Sequence, residues 1–141
     1  MISFTPTLGL KGSFECTVSP EHLADAFGNA DVAVLATPML LDLMEVAAHQ
    51  ALQPIMPHNW VSLGISADFK HLRLTPSGLK VRAEATIIAI DRQKIDFHVE
   101  VYDEIELVGK GYHSRFCMPK TQLDEKIQSK MKSVTQRAHR D

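Results

Sequence analysis

The sequence predicts an α+β fold in which one long apolar helix packs against an antiparallel sheet. The helix is indicated by residues 36–52, the longest apolar run, in which Leu41, Met44, Ala48 and Leu52 recur at helical spacing. The sheet is indicated by one alternating segment before this run and four after it. We therefore expect the last four strands to form a meander, with the helix on the concave face of the sheet.

Composition restricts the possible classes of function. The 141 residues suggest one domain, predicted at 1–120, followed by a polar tail or surface helix at 121–141. A net charge of −2 gives no general attraction to nucleic acid or anionic membrane. The chain also has no apolar run near the roughly 20 residues of a membrane span, and its first residues do not resemble a signal peptide. With Cys16 and Cys117 taken as reduced thiols, a cytoplasmic protein is expected.

The first predicted elements are a half-buried strand and a short helix. Apolar or small residues alternate with polar ones over 10–18. Ser19 then takes the N-cap position of the short helix, with Pro20 behind it, and Gly28-Asn29 ends that helix. Residues 31–36 lead from there to the long helix.

The long helix has clear boundaries and an unusual polar stripe. Thr37 is predicted as its N-cap, Pro38 as its first helical residue, and Pro54 ends the pattern. Four polar side chains fall within about 80° of one another on a helical wheel, and the other directions are mostly apolar. One sheet covers only one side of such a helix, so we expect a second subunit to cover the rest. The stripe comprises Asp42, Glu45, His49 and Gln53.

Four strands are predicted after the helix from alternating apolar and polar residues. Pro76 and Gly78 mark the turn between the first two, and Pro119 ends the last. In the first of them, even-numbered residues such as Ser62 and Gly64 are predicted to share one face along the whole strand. The predicted strands are 60–69, 79–90, 95–101 and 107–118.

Two residues of the polar stripe and one histidine are candidates for chemistry. Glu45 and His49, one turn apart, can form an ion pair. They can also share a metal ion, although the spacing marks no third ligand. His71 ends a strand beside the covered helix, where it is well placed as a general acid or base. His98 and His113 can face either side of their strands, and the others are expected to be exposed: His22, His58 and His139.

A set of spaced motifs resembles the hot-dog-fold thioesterases of the fluoroacetyl-CoA thioesterase type. The set comprises Thr37 with Glu45 eight residues on, Ser62-Leu63-Gly64, His71, Thr75-Pro76-Ser77-Gly78-Leu79, and 109–115. The similarity extends over most of the chain, from about residue 13 to residue 118. It implies a homodimer or a higher oligomer, with a sheet wrapped around a central helix. It also implies hydrolysis of an acyl-CoA thioester without a metal ion or an organic cofactor.

The same resemblance implies the residues of the site. Thr37, Glu45 and His71 form the catalytic set, and Gly64 and Arg115 lie near the bound acyl-CoA. Thr37 is either the nucleophile or a hydrogen-bond donor to the carbonyl. His71 manages the proton, and Glu45 either orients His71 or activates water. N–H groups at the helix start, or that of Gly64, are candidates to stabilise the oxyanion.

Helix geometry constrains this site. Thr37 and Glu45 lie roughly 12 Å apart along a straight helix, so the two side chains cannot hydrogen-bond directly. A compact site requires either a bent helix start or a residue from a second subunit, and we predict a site at a dimer interface, completed by a second chain. The alternative is a hot-dog protein that holds acyl-CoA or another small ligand without turnover. Candidate cations for the CoA phosphates are Lys70, Arg73, Lys80, Arg82 and Arg115.

Overall fold

The structure is a computed structural model that describes residues 3–138. The predicted α+β fold is confirmed. The helix expected after Ser19 is instead two consecutive 3₁₀ turns, Pro20–His22 and Ala24–Phe27. His139 lies outside the described residues. The main elements are β1 (Lys11–Thr17), α1 (Thr37–Leu52), β2 (Trp60–His71), β3 (Lys80–Asp91), β4 (Lys94–Asp103), β5 (Leu107–Pro119) and α2 (Lys120–Ala138).

The five strands form one antiparallel sheet in the order β1-β3-β4-β5-β2. The predicted four-strand meander is therefore wrong in one place, because β2 pairs with β5 rather than with β3. The edge of β3 that a meander would give to β2 is occupied by β1, from Lys11 opposite Thr86 to Thr17 opposite Lys80. The strands β3, β4 and β5 do form a meander. As a result β1 and β2 are the two edges of the sheet.

Helix α1 lies against the sheet and forms the core with it. The inward residues predicted for β4, from Ile95 to Val101, are fully buried. β1 passes very close to the helix, because a Cβ on Gly12 would clash with the backbone nitrogen of Ala51 and with the carbonyl oxygen of Ala47. Only glycine allows this approach. The helix contributes seven buried residues: Leu40, Leu43, Met44, Ala47, Ala48, Ala51 and Leu52.

A β-bulge in β2 reverses the predicted facing of the second half of that strand. Gly64 pairs with Arg115 and Ser66 pairs with Ser114, which leaves Ile65 as the extra residue. Directly opposed residues of an antiparallel pair project from the same face. Beyond the bulge, His71 is opposite the buried Gly109, which lies against Leu40 of α1, so the odd-numbered residues now face α1. The prediction of one uninterrupted alternation along β2 is therefore wrong, and the bulge turns His71 towards the helix.

Helix α2 follows β5 directly and is exposed along most of its length. Apolar side chains on it are about half exposed: Ile127 at 51%, Met131 at 59% and Val134 at 55%. Its basic end carries Arg137, and Lys120 pairs with Asp124 at 3.1 Å at the other end. Within residues 3–138, no helix is long and apolar enough to cross a membrane.

Candidate active site

The first candidate group joins the start of α1 to the end of β2. The Oγ1 atom of Thr37 lies 2.8 Å from Nδ1 of His71. The N-cap of α1 is Ala36, whose carbonyl accepts from the N–H groups of Met39 and Leu40 at 3.0 Å each. The prediction of Thr37 as N-cap is therefore wrong, because its hydroxyl is bonded to a histidine 34 residues later in the chain.

The environment of His71 favours the neutral imidazole. Burial lowers the pKa of His71 below its ordinary value, and the backbone of Arg73 acts weakly in the opposite direction. A neutral ring can accept the Thr37 hydroxyl proton at Nδ1, as a general base does. Nε2 of His71 is buried and has no hydrogen-bond partner within residues 3–138. The pair borders a depression of about 300 Å³ that Val34, Leu72 and Leu74 also line.

The second group is centred on the buried guanidinium of Arg115, which projects from β5. Its Nε donates to Oγ of Ser62 and its Nη2 to the carbonyl oxygen of Ser62, both at 3.0 Å. Nη1 lies 3.1 Å from Nε2 of His113 and 3.7 Å from Oε2 of Glu45. Burial lowers the pKa of Arg115, and the Glu45 carboxylate opposes that change.

Gly64 provides the space in which Glu45 and Arg115 meet. A Cβ at this position would lie 3.1 Å from Cε1 of His113, 3.2 Å from Oε2 of Glu45 and 3.4 Å from Nη1 of Arg115. The Arg115 side chain is only 8% exposed, whereas that of Glu45 is 42% exposed. Glu45 therefore has one side against a buried cation and the other side open.

Two polar residues of this second group, Ser62 and His113, were not among the predicted site residues. A third, His49, was a candidate but with a different partner, because its Nδ1 lies 3.2 Å from Oγ of Ser62. Ser62 and His113 could have been found from the sequence, since each stands two residues from a predicted site residue and so shares its face in a strand. His49 reaches Ser62 and Glu45 reaches Arg115, so the suggested ion pair between His49 and Glu45 is wrong.

The structure brings the five predicted site residues together in two groups rather than one. Thr37 and His71 form the first, and Glu45, Gly64 and Arg115 form the second. Within residues 3–138, no hydrogen bond or ion pair connects the two groups. Nor does this part of the chain contain a group of three or more His, Cys, Asp or Glu side chains arranged to hold a metal ion.

The cations suggested for the CoA phosphates lie in different environments. Arg115 is buried, and Lys70 is exposed. The other three are paired with acidic side chains at the surface: Arg73 with Glu106 at 3.3 Å, Lys80 with Glu15 at 4.0 Å and Arg82 with Glu84 at 2.9 Å.

Sequence comparisons relate the chain to thioesterases. A family model described as fluoroacetyl-CoA-specific thioesterase matches residues 18–121. The fluoroacetyl-CoA thioesterase of Streptantibioticus cattleyicolor is 28% identical over 97 residues, which are 69% of this chain and 70% of that protein.

Similar solved structures share the fold. A crystal structure of a variant of the fluoroacetyl-CoA-specific thioesterase FlK has a TM-score of 0.83 and 23% identity, over 89% of this chain and 98% of that one. A thioesterase superfamily member from Thermus thermophilus has a TM-score of 0.80 and 23% identity, over 96% and 97% of the two chains. A hot-dog-like protein from Thermanaerovibrio acidaminovorans has a TM-score of 0.80 and 18% identity, over 87% and 91%.

The sheet and its central helix therefore define a hot-dog fold. Since the family model spans most of the sequence, the chain belongs to the fluoroacetyl-CoA-specific thioesterase family. Family membership confirms the resemblance and the hot-dog fold predicted from the sequence. It also confirms the predicted enzyme class, which is that of thioester hydrolases.

Proposed function

We propose that the chain hydrolyses a small acyl-CoA thioester at a site shared by two copies. Thr37, His71 and Glu45 are the catalytic residues, and Gly64 and Arg115 lie beside the bound acyl thioester. Family membership supports the reaction class. Another FlK variant, with a TM-score of 0.82 and 23% identity over 89% of this chain, was solved in complex with acetyl-CoA. The free cysteines fit a location in the reducing cytoplasm.

The observation that carries this proposal is the hydrogen bond of 2.8 Å between Thr37 and His71. A neutral His71 accepts a proton from the Thr37 hydroxyl, or from a water that Thr37 helps to hold, as the new bond to the thioester carbonyl carbon forms. The carbonyl oxygen gains the negative charge, which N–H groups near the start of α1 or at Gly64 stabilise. Collapse of this intermediate breaks the carbon–sulfur bond and releases the CoA thiol, which takes up the proton from His71. If water is the nucleophile, the carboxylic acid is formed in this step. If Thr37 is the nucleophile, an acyl ester of Thr37 is left, and a water that gives its proton to His71 cleaves it to release the acid and restore the hydroxyl.

A second copy would complete the site. β2 is an edge strand, so its outer row of backbone groups is free to pair with another chain, and Ile65 in its middle is 50% exposed. Glu45 is partly open to solvent and too far along α1 to reach Thr37 of its own chain. We propose that Glu45 of the partner subunit faces His71 across a two-fold interface.

Release of free thiol from acetyl-CoA and from longer, branched and aryl acyl-CoAs tests the proposed function. We expect sustained release by the parent chain and a loss of at least about 100-fold in Glu45→Ala and in His71→Ala, because general base catalysis is typically worth that much. Asp42→Ala, one turn before Glu45 on the exposed side of α1, is the matched control for the first variant. His98→Ala, on the outer face of the sheet, is the control for the second.

Two outcomes would contradict the proposal. Full activity in both Glu45→Ala and His71→Ala would remove these residues from the catalytic set. Binding of acyl-CoA by the parent chain with no thiol release from any substrate would instead make the chain a non-catalytic acyl-CoA binding protein.

A further inference from the structure

The Arg115 guanidinium is held by more contacts than its ion pair with Glu45 explains. Ser62 receives two of its N–H groups, one on the side-chain oxygen and one on the carbonyl oxygen, at 3.0 Å each. Such a two-point contact fixes the plane of the guanidinium. By comparison, the distance of 3.7 Å between Nη1 and Oε2 of Glu45 is too long for a strong hydrogen bond. The orientation of Arg115 is therefore set from the side opposite Glu45.

His113 completes this support, and its tautomer follows from its partners. Nδ1 of His113 lies 2.8 Å from the carbonyl oxygen of Ser66, which can only accept, so Nδ1 carries the proton. Nε2 is then an acceptor for the N–H of Nη1 of Arg115 at 3.1 Å. The ring of Phe97 stacks beside the imidazole with centroids 6.5 Å apart, and the imidazole is 3% exposed. A neutral His113 thus accepts a hydrogen bond from one of the two N–H groups of Nη1. The other N–H group is directed towards Glu45.

We propose that Ser62 and His113 are positioning residues that aim Nη1 of Arg115 at the Glu45 carboxylate and so hold Glu45 in place for catalysis. This inference rests on the proposed role of Glu45. Glu45 has no other charged partner among the described residues and is partly open to solvent. Without a fixed cation beside it, the carboxylate would move among several rotamers, and misplacing a catalytic group by about 1 Å costs roughly 100-fold in rate.

His49 lies at the far end of the same group. Its Nδ1 is 3.2 Å from Oγ of Ser62, and Oγ already accepts from Nε of Arg115. The Ser62 hydroxyl proton is therefore free to be donated to His49. Glu45 of α1 is thus connected to β5 through Arg115. His49 of α1 is connected to β2 through Ser62. The group fixes the catalytic face of the helix on the sheet.

Steady-state kinetics of two variants test the inference in the full chain. Ser62→Ala removes one oxygen and keeps the carbonyl contact to Nη2, and His113→Phe keeps the ring but removes the acceptor. For each we expect kcat to fall roughly tenfold or more with KM changed less than about threefold, since one charge-assisted hydrogen bond is lost. His113→Gln, which keeps an acceptor, should recover part of kcat.

Two matched variants provide the controls. Ser114→Ala removes a hydroxyl that donates to Asp96 at 2.6 Å on the outer face of the sheet, and His98→Phe replaces an imidazole on that same face. Both should keep the parent kcat. Circular dichroism and thermal melting identify any variant that does not fold. Ser62→Ala decides the question if His113→Phe is unfolded.

The inference and the proposed function fail in different ways. A parent chain with no thiol release contradicts the proposed function. An active parent chain with unchanged kcat in folded Ser62→Ala and His113→Phe overturns the inference alone. So does a kcat in His113→Gln as low as that in His113→Phe, because the acceptor would then be irrelevant.

Discussion

At the scale of single residues, the role of Thr37 depends on a partner that is distant in sequence. The Thr37 hydroxyl has a local use as a helix cap, which its position beside Pro38 suggested. In the structure the Thr37 hydroxyl is instead hydrogen-bonded to His71, and Ala36 is the N-cap residue. Because the Thr37 hydroxyl does not cap the helix, it is available for proton transfer to His71. Sequence spacing alone had no means of choosing between these two partners.

Two buried histidines predict how stability depends on pH. Burial lowers the pKa of His71 and of His113 in the folded chain, whereas in the unfolded chain each returns to about 6.5. Between the lowered pKa and about 6.5 the unfolded chain binds more protons, so the free energy of unfolding should fall as pH falls through that window. Urea unfolding of the parent and of His113→Phe between about pH 7 and about pH 5 measures this dependence.

The comparison with the parent isolates one histidine. His113→Phe should lose less free energy of unfolding over the same pH interval, because one group that gains a proton on unfolding has been removed. Identical dependence in the parent and His113→Phe would contradict the neutral buried state of His113.

At the scale of elements, periodicity predicted most of the fold but not how its strands pair. The long helix and all five strands lie where the alternation and the 3.6-residue spacing placed them. The pairing of β2 with β5 was not predictable in the same way, because strand partners are set by long-range packing and a meander is only the simplest arrangement. The bulge at Ile65 shifts the alternation by one residue, and residues 66–71 are too mixed in polarity for that shift to be seen in the sequence.

The bulge predicts a specific effect of deleting one residue. Without Ile65, Gly64 and Ser66 become consecutive, as their partners Arg115 and Ser114 already are, so residues 66–71 keep their pairing with β5 and their facing. His71 should stay beside Thr37, and we expect thiol release near the parent rate from a folded deletion variant. Ile65→Val, which keeps the extra residue, is the control and should also retain the parent rate. A folded deletion variant that has lost activity would show that the bulge itself, and not only the pairing beyond it, positions His71.

The candidate site was predictable only in part, because some of its residues are brought together by contacts between different helices and strands. Thr37, Glu45 and His71 came from a family resemblance, and each lies at the end or on the polar stripe of an element that periodicity had located. The supporting residues Ser62, His49 and His113 act through contacts between α1, β2 and β5. Such contacts depend on strand order and register, which the sequence left undetermined.

At the scale of the whole molecule, one chain holds the two halves of the proposed site apart. Thr37 and His71 lie at one end of α1, and Glu45 lies about two turns further along with Arg115. The exposed edge of β2 lies beside both groups and offers free backbone groups for pairing. A two-fold arrangement would bring each half against the complementary half of the other copy, which gives two sites per dimer.

The most direct test of this account mixes two inactive variants. Glu45→Ala and His71→Ala are unfolded together in urea, refolded, and assayed for thiol release at the same total concentration as each variant alone. If the site is shared, the mixed dimers form half of the population and each has one intact site, so about a quarter of the parent activity should return. Activity in the mixture no higher than in the separate variants, with mixed dimers demonstrated by mass spectrometry, would contradict a site built from two chains.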